Sequence, residues 1–422
     1  MLTILAYGCL LLLFIPKINL ISVAGENAGL RIDDFMIACF AGWLLLARRR
    51  ARVSRRLEYL FGAFILAGVA SALLNGSSLL YVLRPIEYFM FFYAGAVLCQ
   101  RVRLDRIIAA WLIVNAGIMV LQSTGLVGAF SIGTYVEAST DRVMGVTGGP
   151  WEISALLNLI LACYAFGRGV RQVIRNLVIG LLLLSLVLLT GARSGVAAHV
   201  FLLACYLLYC CFHKTTRVKA AVFSGLALAG TVALVLNSEP LQARTGSLFR
   251  SQNLAYAAEV YAKTDVSLGT KVDINTVAAT GFALDPEKYD ISWVVRMQKW
   301  SYVAKCYQSQ DPLRWLFGMG PGVWGPAVDG GWLRMITEHG IVGTGLFLAF
   351  LLTLGAHNRM LLACALVLML NMCFIDIYLA YKMMSMFFFI AGFSHAQERL
   401  RPSLRHTVAP TPVPATAVTA SP

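Results

Sequence analysis

Residues 181–211 read LLLLSLVLLTGARSGVAAHVFLLACYLLYCC. Two apolar runs flank a short turn of small residues that carries one charge, Arg193. A helix of about 20 mostly apolar residues spans the hydrocarbon core of a bilayer. Inside that core a backbone must satisfy its own polar groups, which a helix does and an open strand does not. This stretch therefore decides the fold class. It is two adjacent membrane helices joined by a tight turn, within an all-α polytopic transmembrane helix bundle.

The rest of the chain has the same character. Of 422 residues, 59% are hydrophobic and 13% charged, whereas a soluble domain is about half apolar and a quarter charged. Twelve candidate spans follow: 3–22, 34–47, 58–74, 85–100, 107–127, 151–167, 176–191, 195–212, 219–236, 332–354, 360–375 and 380–395. The last two are short, and a packed pair of half-length helices is the alternative there. The first run has a weak basic start, a late Lys17 and no small-x-small cleavage site, so it reads as a retained helix. Nine of ten cysteines sit in apolar stretches, with Cys306 the exception. No disulfide framework, CxxC spacing, metal site or cofactor is expected.

The net charge of +14 raises nucleic acid as a partner, but its placement gives another reason for it. The connection ARRRARVSRR (47–56) carries six arginines, and 101–106, 167–175 and 213–219 are also basic. With twelve helices these fall on one side together with both termini. That side has 19 Lys/Arg against three acids, and the other has 16 against 18. Lys/Arg in short connections mark the cytoplasmic face, and they also attract anionic membrane lipids. The expected organisation is a bacterial inner-membrane protein with both termini cytoplasmic. Helices one to nine occupy 1–236, a periplasmic loop with short helices 237–331, helices ten to twelve 332–397, and a disordered cytoplasmic tail 398–422. Helical patches are expected in the loop at 253–263 and 292–307.

Charges placed at costly positions are the candidate site residues. Arg84, Glu87, Arg142, Glu152, Arg193, Asp376 and Lys382 map to the expected periplasmic helix ends. Arg193 has a planar fork suited to bidentate phosphate binding; snorkelling to a headgroup is the plainer alternative. Arg244, Arg250 and Arg296 are further anion-binding candidates in the loop. Trp300 follows Arg296 by one helical turn, and a tryptophan there suits either a sugar ring or the membrane interface. The stretch PLRWLFGMGPGVWGPAVDGGWLRMITEHGIVGTGL (312–346) opens on a glycine-broken turn and re-enters the membrane past Asp329, Arg334, Glu338 and His339. Arg334 and Glu338, four apart, can form a structural pair on one helix face. Asp329 can cap the following helix or act as a general base.

Four ordered pieces of sequence resemble the bacterial O-antigen ligase and polymerase superfamily. They are RIDD (31–34), RVMGVTGGP (142–150), GARSG (191–195), and Arg296-x3-Trp300 followed by GMG (318–320), DGGWL (329–333) and EHGIVG (338–343). The resemblance implies a glycan donor carried on undecaprenyl pyrophosphate. The glycan moves to an acceptor hydroxyl, and fixed arginines stabilise the leaving pyrophosphate without a metal. On that reading Arg193, Arg296 and Arg142 bind pyrophosphate, and Asp329, Glu338 and His339 are the catalytic candidates. Trp300, Trp332 and Arg334 are the expected glycan contacts. A chain-length regulator stays open as a further partner, and nucleic acid is not expected. In the ligases a His-Asn pair precedes helix ten, whereas here that position is Asp329-Gly330 and His339 lies ten residues later. An aspartate there is more like the polymerases of O-antigen, capsule or exopolysaccharide. A ligase to lipid A-core or protein, and a transporter or flippase of lipid-linked sugars, are the alternatives. The flippase fits less well, since no repeat relates the two halves.

Overall fold

The computed structural model describes residues 1–16, 19–22, 29–46, 53–130, 142–167, 172–212, 252–267, 269–271, 274, 291–325 and 327–407, with isolated residues between 222 and 237. The fold is overwhelmingly helical. Helices run Leu2–Leu12 (α1), Ile32–Leu46 (α2), Arg55–Asn75 (α3), Leu80–Leu98 (α4), Leu104–Ser123 (α5), Pro150–Gly167 (α6), Val173–Leu189 (α7) and Arg193–Cys211 (α8). They continue with Gln252–Lys263 (α9), Ile291–Gln308 (α10), Pro312–Phe317 (α11), Gly331–Gly355 (α12), Arg359–Asn371 (α13) and Tyr381–Thr407 (α14). A small antiparallel hairpin pairs Asn19–Ser22 (β1) with Gly29–Arg31 (β2).

Among the described residues, five helices (α3, α5, α6, α8 and α12) are long and apolar enough to cross a membrane; α1, α7 and α13 are shorter apolar helices. Leu45, Leu66, Leu73, Ile113 and Leu182 point outward from their helices and are exposed. Such an apolar exterior fits lipid rather than water. Eleven of the twelve expected spans coincide with a described helix. The twelfth, 219–236, and the basic connection 213–219 lie mostly or wholly outside the described residues, as do Arg244 and Arg250.

Three features depart most from expectation. The first helix, expected over 3–22, stops at Leu12, and 19–22 is a strand. A helix continuing through Pro16 would find no N–H there to bond the Leu12 carbonyl. That carbonyl and the one of Ile15 instead accept from Lys382 Nζ. The tail expected to be disordered from 398 is helical through Thr407, where Ala396-Gln-Glu-Arg-Leu-Arg continues α14 in residues that favour helix. Third, α12 is broken at Gly340, whose φ is 69°.

The core is built around α14, nearly every residue of which is buried from Tyr381 to Ala396. It meets α4 backbone to backbone, and a Cβ on Gly392 would overlap the Phe92 carbonyl. Small residues at such crossings let membrane helices approach closely. Phe61 (α3), Phe89 (α4), Phe350 (α12) and Phe388 (α14) pack their rings together, with Phe61 stacked on Phe89 at 4.1 Å. One end of the bundle is charged. There Arg31 Nη2 donates to Glu87 at 2.8 Å and Asp34 at 3.2 Å, and Arg84 Nη1 bridges the same two carboxylates. Glu152 Oε1 accepts from the first backbone N–H groups of α14, those of Lys382 and Met383.

Candidate functional site

The break in α12 positions the first cluster. Ending a helical ladder at Gly340 frees the carbonyls of Thr337 and Glu338. The glycine-broken turn after α11 lies against them, with Met319 N donating to Thr337 O at 2.8 Å and Gly320 N to Glu338 O at 3.2 Å. Ser71 Oγ also donates to Glu338 O at 2.9 Å, and Asn75 Nδ2 ties down Gly318 O at 3.0 Å. Re-satisfying broken backbone in this way is what makes a helix break tolerable in a membrane span. A side chain at Gly340 would strike the Leu316 carbonyl.

Above the break, Arg334 organises a buried network. Its Nε donates to Glu338 Oε1 at 2.9 Å, Nη1 to Asp376 Oδ2 at 3.0 Å and Nη2 to Gly325 O at 2.6 Å. Tyr378 donates to the second Glu338 oxygen at 3.2 Å. The structural pairing of Arg334 with Glu338 is therefore present and extended by Asp376. Both side chains are fully buried, so neither reaches a glycan or an acceptor in this conformation. His339 is likewise enclosed, between Phe64, Gly68 and Gly343. Among the described residues its Nδ1 has no hydrogen-bond partner.

Asp376 in turn shapes the mouth. It accepts from Val328 N at 2.7 Å and Gly330 N at 3.0 Å, the two amides that flank Asp329. Gripping both neighbours drives Asp329 itself to φ 59°, and it is the one non-glycine residue with positive φ among the described residues. Such backbone is costly for an L-residue, though Asp tolerates it better than most. The side chain does not cap α12, whose N-cap is Gly330 with no side-chain bond. It stays 37% exposed and faces Lys299, with Nζ 3.9 Å from Oδ2. Arg296 is the largest of the three cationic influences on it, ahead of Lys299 and Arg334. Partial burial of the carboxyl outweighs these cations and raises its pKa above the ordinary value.

Helix α10 supplies the opposite wall. Lys299 Nζ donates to Ala327 O at 3.1 Å and Trp300 Nε1 to Asp329 O at 3.2 Å. Arg296, one turn earlier, has its Nε buried with no partner among the described residues. Trp293 meets Trp300 edge to face at 6.4 Å. Trp332 is turned the other way, donating to Met369 O at 2.9 Å. Lys299 and Tyr378 thus join a cluster in which sequence had singled out Arg296, Trp300, Asp329, Arg334, Glu338 and Asp376. Asp376 was visible as a charge beside a span, but nothing local named its partners 42 and 48 residues earlier.

A second cluster forms at the α7–α8 turn. Gly191 there has φ 60°, and Arg193 opens α8. Arg142 Nε donates to Thr190 O at 2.9 Å, so the two arginines flank one turn. The RVMGVTGGP segment behind Arg142 is held at several points. Gln122 Oε1 accepts from Met144 N and Gly145 N at 3.0 and 2.9 Å, Asn115 Oδ1 from Val146 N at 3.1 Å, and Glu152 Oε2 from Gly148 N at 2.8 Å. Asn158 Nδ2 donates to Gly195 O at 2.8 Å and fixes the first turn of α8. Fixed guanidinium groups beside a turn suit a polyanionic group that need not reorganise its surroundings. No family model matches the chain, and no curated protein is similar to it.

Proposed function

We propose that the chain is a twelve-helix inner-membrane polysaccharide polymerase. It joins oligosaccharide repeat units carried on undecaprenyl pyrophosphate, on the periplasmic face. The observation that carries the reading is Asp329, whose backbone is held strained between two amides bound by Asp376 and whose partly exposed carboxylate faces Lys299 under the influence of Arg296. Strain maintained by surrounding structure is a reason to suspect function. In the proposed reaction Asp329 takes the proton of the acceptor hydroxyl. The hydroxyl oxygen forms the new glycosidic bond as the bond from the anomeric carbon to the pyrophosphate breaks. Arg193, Arg296 and Arg142 carry the charge that grows on the departing pyrophosphate.

Arg334 and Glu338 are in this reading the support beneath Asp329, with Asp376 as the link. The basic connections and both termini lie on the cytoplasmic face, as Lys/Arg asymmetry implies. The test is deletion of the gene in its host, with surface glycans resolved into lipid-bound and free material. O-antigen polymerase leaves one repeat unit on lipid A-core and no long chains. An exopolysaccharide polymerase leaves lipopolysaccharide intact and secreted polymer missing. Long chains stranded on undecaprenyl pyrophosphate identify a ligase and overturn the polymerase reading.

A further inference from the structure

A cavity of about 1060 Å³ opens among the ends of α5, α6, α8, α12, α13 and α14. It is lined by Gly355, the last residue of α12. The unbroken part of α12 from Gly340 to Gly355 alone spans roughly 22 Å, so the cavity is remote from Asp329. Its inner wall is apolar, with Phe166, Leu362 and Phe393. Leu362 is also exposed, as are Leu208 and Phe212 on either side of Tyr209, so apolar wall and apolar exterior adjoin.

The rim is polar and of mixed sign. Arg103, Asp105, Arg359 and Glu398 all line it. Arg103 is matched by Asp105, with Nη2 donating at 2.8 Å. Arg359 is held by an aromatic instead, donating from Nη1 to the Tyr209 hydroxyl with its guanidinium 4.8 Å from that ring centre. That leaves Arg359 and Glu398 as the rim's unmatched cation and anion among the described residues. A site with an apolar wall, one guanidinium with no carboxylate partner and one carboxylate with no cationic partner among the described residues is complementary to an amphiphile that carries both charges on its head.

We propose that this cavity binds a zwitterionic phospholipid with a primary ammonium headgroup. The phosphodiester lies on Arg359, the ammonium on Glu398, and the acyl chains along Leu362 and the outer face of α8. Charge-assisted contacts of this kind are the strong ones, and basic pockets between membrane helices are where phosphate-bearing lipid headgroups are held. This does not depend on the polymerase reading, since none of these residues belongs to it.

The full chain in detergent is to be titrated with phosphatidylethanolamine, phosphatidylglycerol and diacylglycerol of the same acyl chains, and bound lipid counted by native mass spectrometry. Phosphatidylethanolamine is expected to bind best. Arg359→Gln is expected to weaken it roughly tenfold, and Glu398→Gln to erase the preference over phosphatidylglycerol. Arg175→Gln removes an exposed arginine of α7 that does not line the cavity, and binding is expected to stay unchanged. Equal retention of diacylglycerol, or wild-type binding by both Arg359→Gln and Glu398→Gln, overturns the proposal. Displacement of the lipid by inorganic phosphate supports the Arg359 contact, whereas phosphate binding with no lipid binding overturns the lipid as its source. Should Arg359→Gln fail to fold, Glu398→Gln decides alone.

Discussion

Substitution of Asp329 separates backbone strain from chemistry, because the two respond to different replacements. Its φ of 59° is imposed by Asp376, which holds the amides on both sides. The backbone therefore cannot relax when the side chain changes. Left-handed backbone costs an L-residue roughly 1–2 kcal/mol, less for Asp or Asn and nothing for Gly. Asp329→Gly should thus gain about 1 kcal/mol, Asp329→Asn should be near neutral, and Asp329→Ala should lose about 1 kcal/mol. The Lys299 contact is long and partly exposed, so its loss adds only about 0.5 kcal/mol. In a chain of this size these differences correspond to melting shifts of about 1–2 °C, readable on purified protein in detergent. Activity should follow another order. A general base contributes roughly 10²–10⁴-fold, so all three variants should lose polymer ladders, the most stable included. Asp329→Ala as stable as Asp329→Gly refutes the strain argument. Wild-type chain lengths from Asp329→Asn refute the base. The pH profile adds a check. Burial, the dominant influence, lifts this carboxyl above its ordinary 3.8, against Arg296 and Lys299. A base works only when deprotonated, so activity should fall as pH drops through that raised value. The stability sign is opposite, since protonation then favours the folded form.

Arg193→Ala should abolish polymer while the protein still inserts, and Arg193→Lys should restore little, because a point charge lacks the bidentate fork; ladder gels with membrane immunoblots report both. Asp376→Ala removes a buried partner of Arg334 and both loop anchors, which should cost about 3–5 kcal/mol and show as a lower melting temperature and early aggregation on size exclusion. Gly340→Ala forces a side chain into φ 69° and onto the Leu316 carbonyl; a loss of about 2 kcal/mol or more should appear in the same melting assay, and an unchanged melt removes the break as a structural requirement.

The helices were legible because long apolar runs have few other solutions in a chain this poor in charge. Arg55–Asn75 and Gly331–Gly355 lie within three residues of their expected bounds. The break at Gly340 was not legible, since GWLRMITEHGIVGTGLFLAFLLTLG reads as one span and glycine is common in membrane helices. Only the arrival of the 318–320 turn against Glu338 makes the break favourable. The partners of Arg334 divide in the same way. Glu338 is one helical turn away and could be inferred, whereas Asp376 is reached only through folding. The enclosure of His339 could not be read either, because it depends on Phe64 and Gly68 from α3.

Lys382 has a consequence for how the molecule is made. The carbonyls that it satisfies belong to Leu12 and Ile15, 370 and 367 positions earlier in the chain. At ordinary rates of synthesis that interval is roughly 20–70 s. Throughout it, the exit of α1 is unsealed. Helix α14 is therefore the latch on α1, and a chain truncated before Tyr381 leaves the exit of α1 without its seal and open to proteolysis.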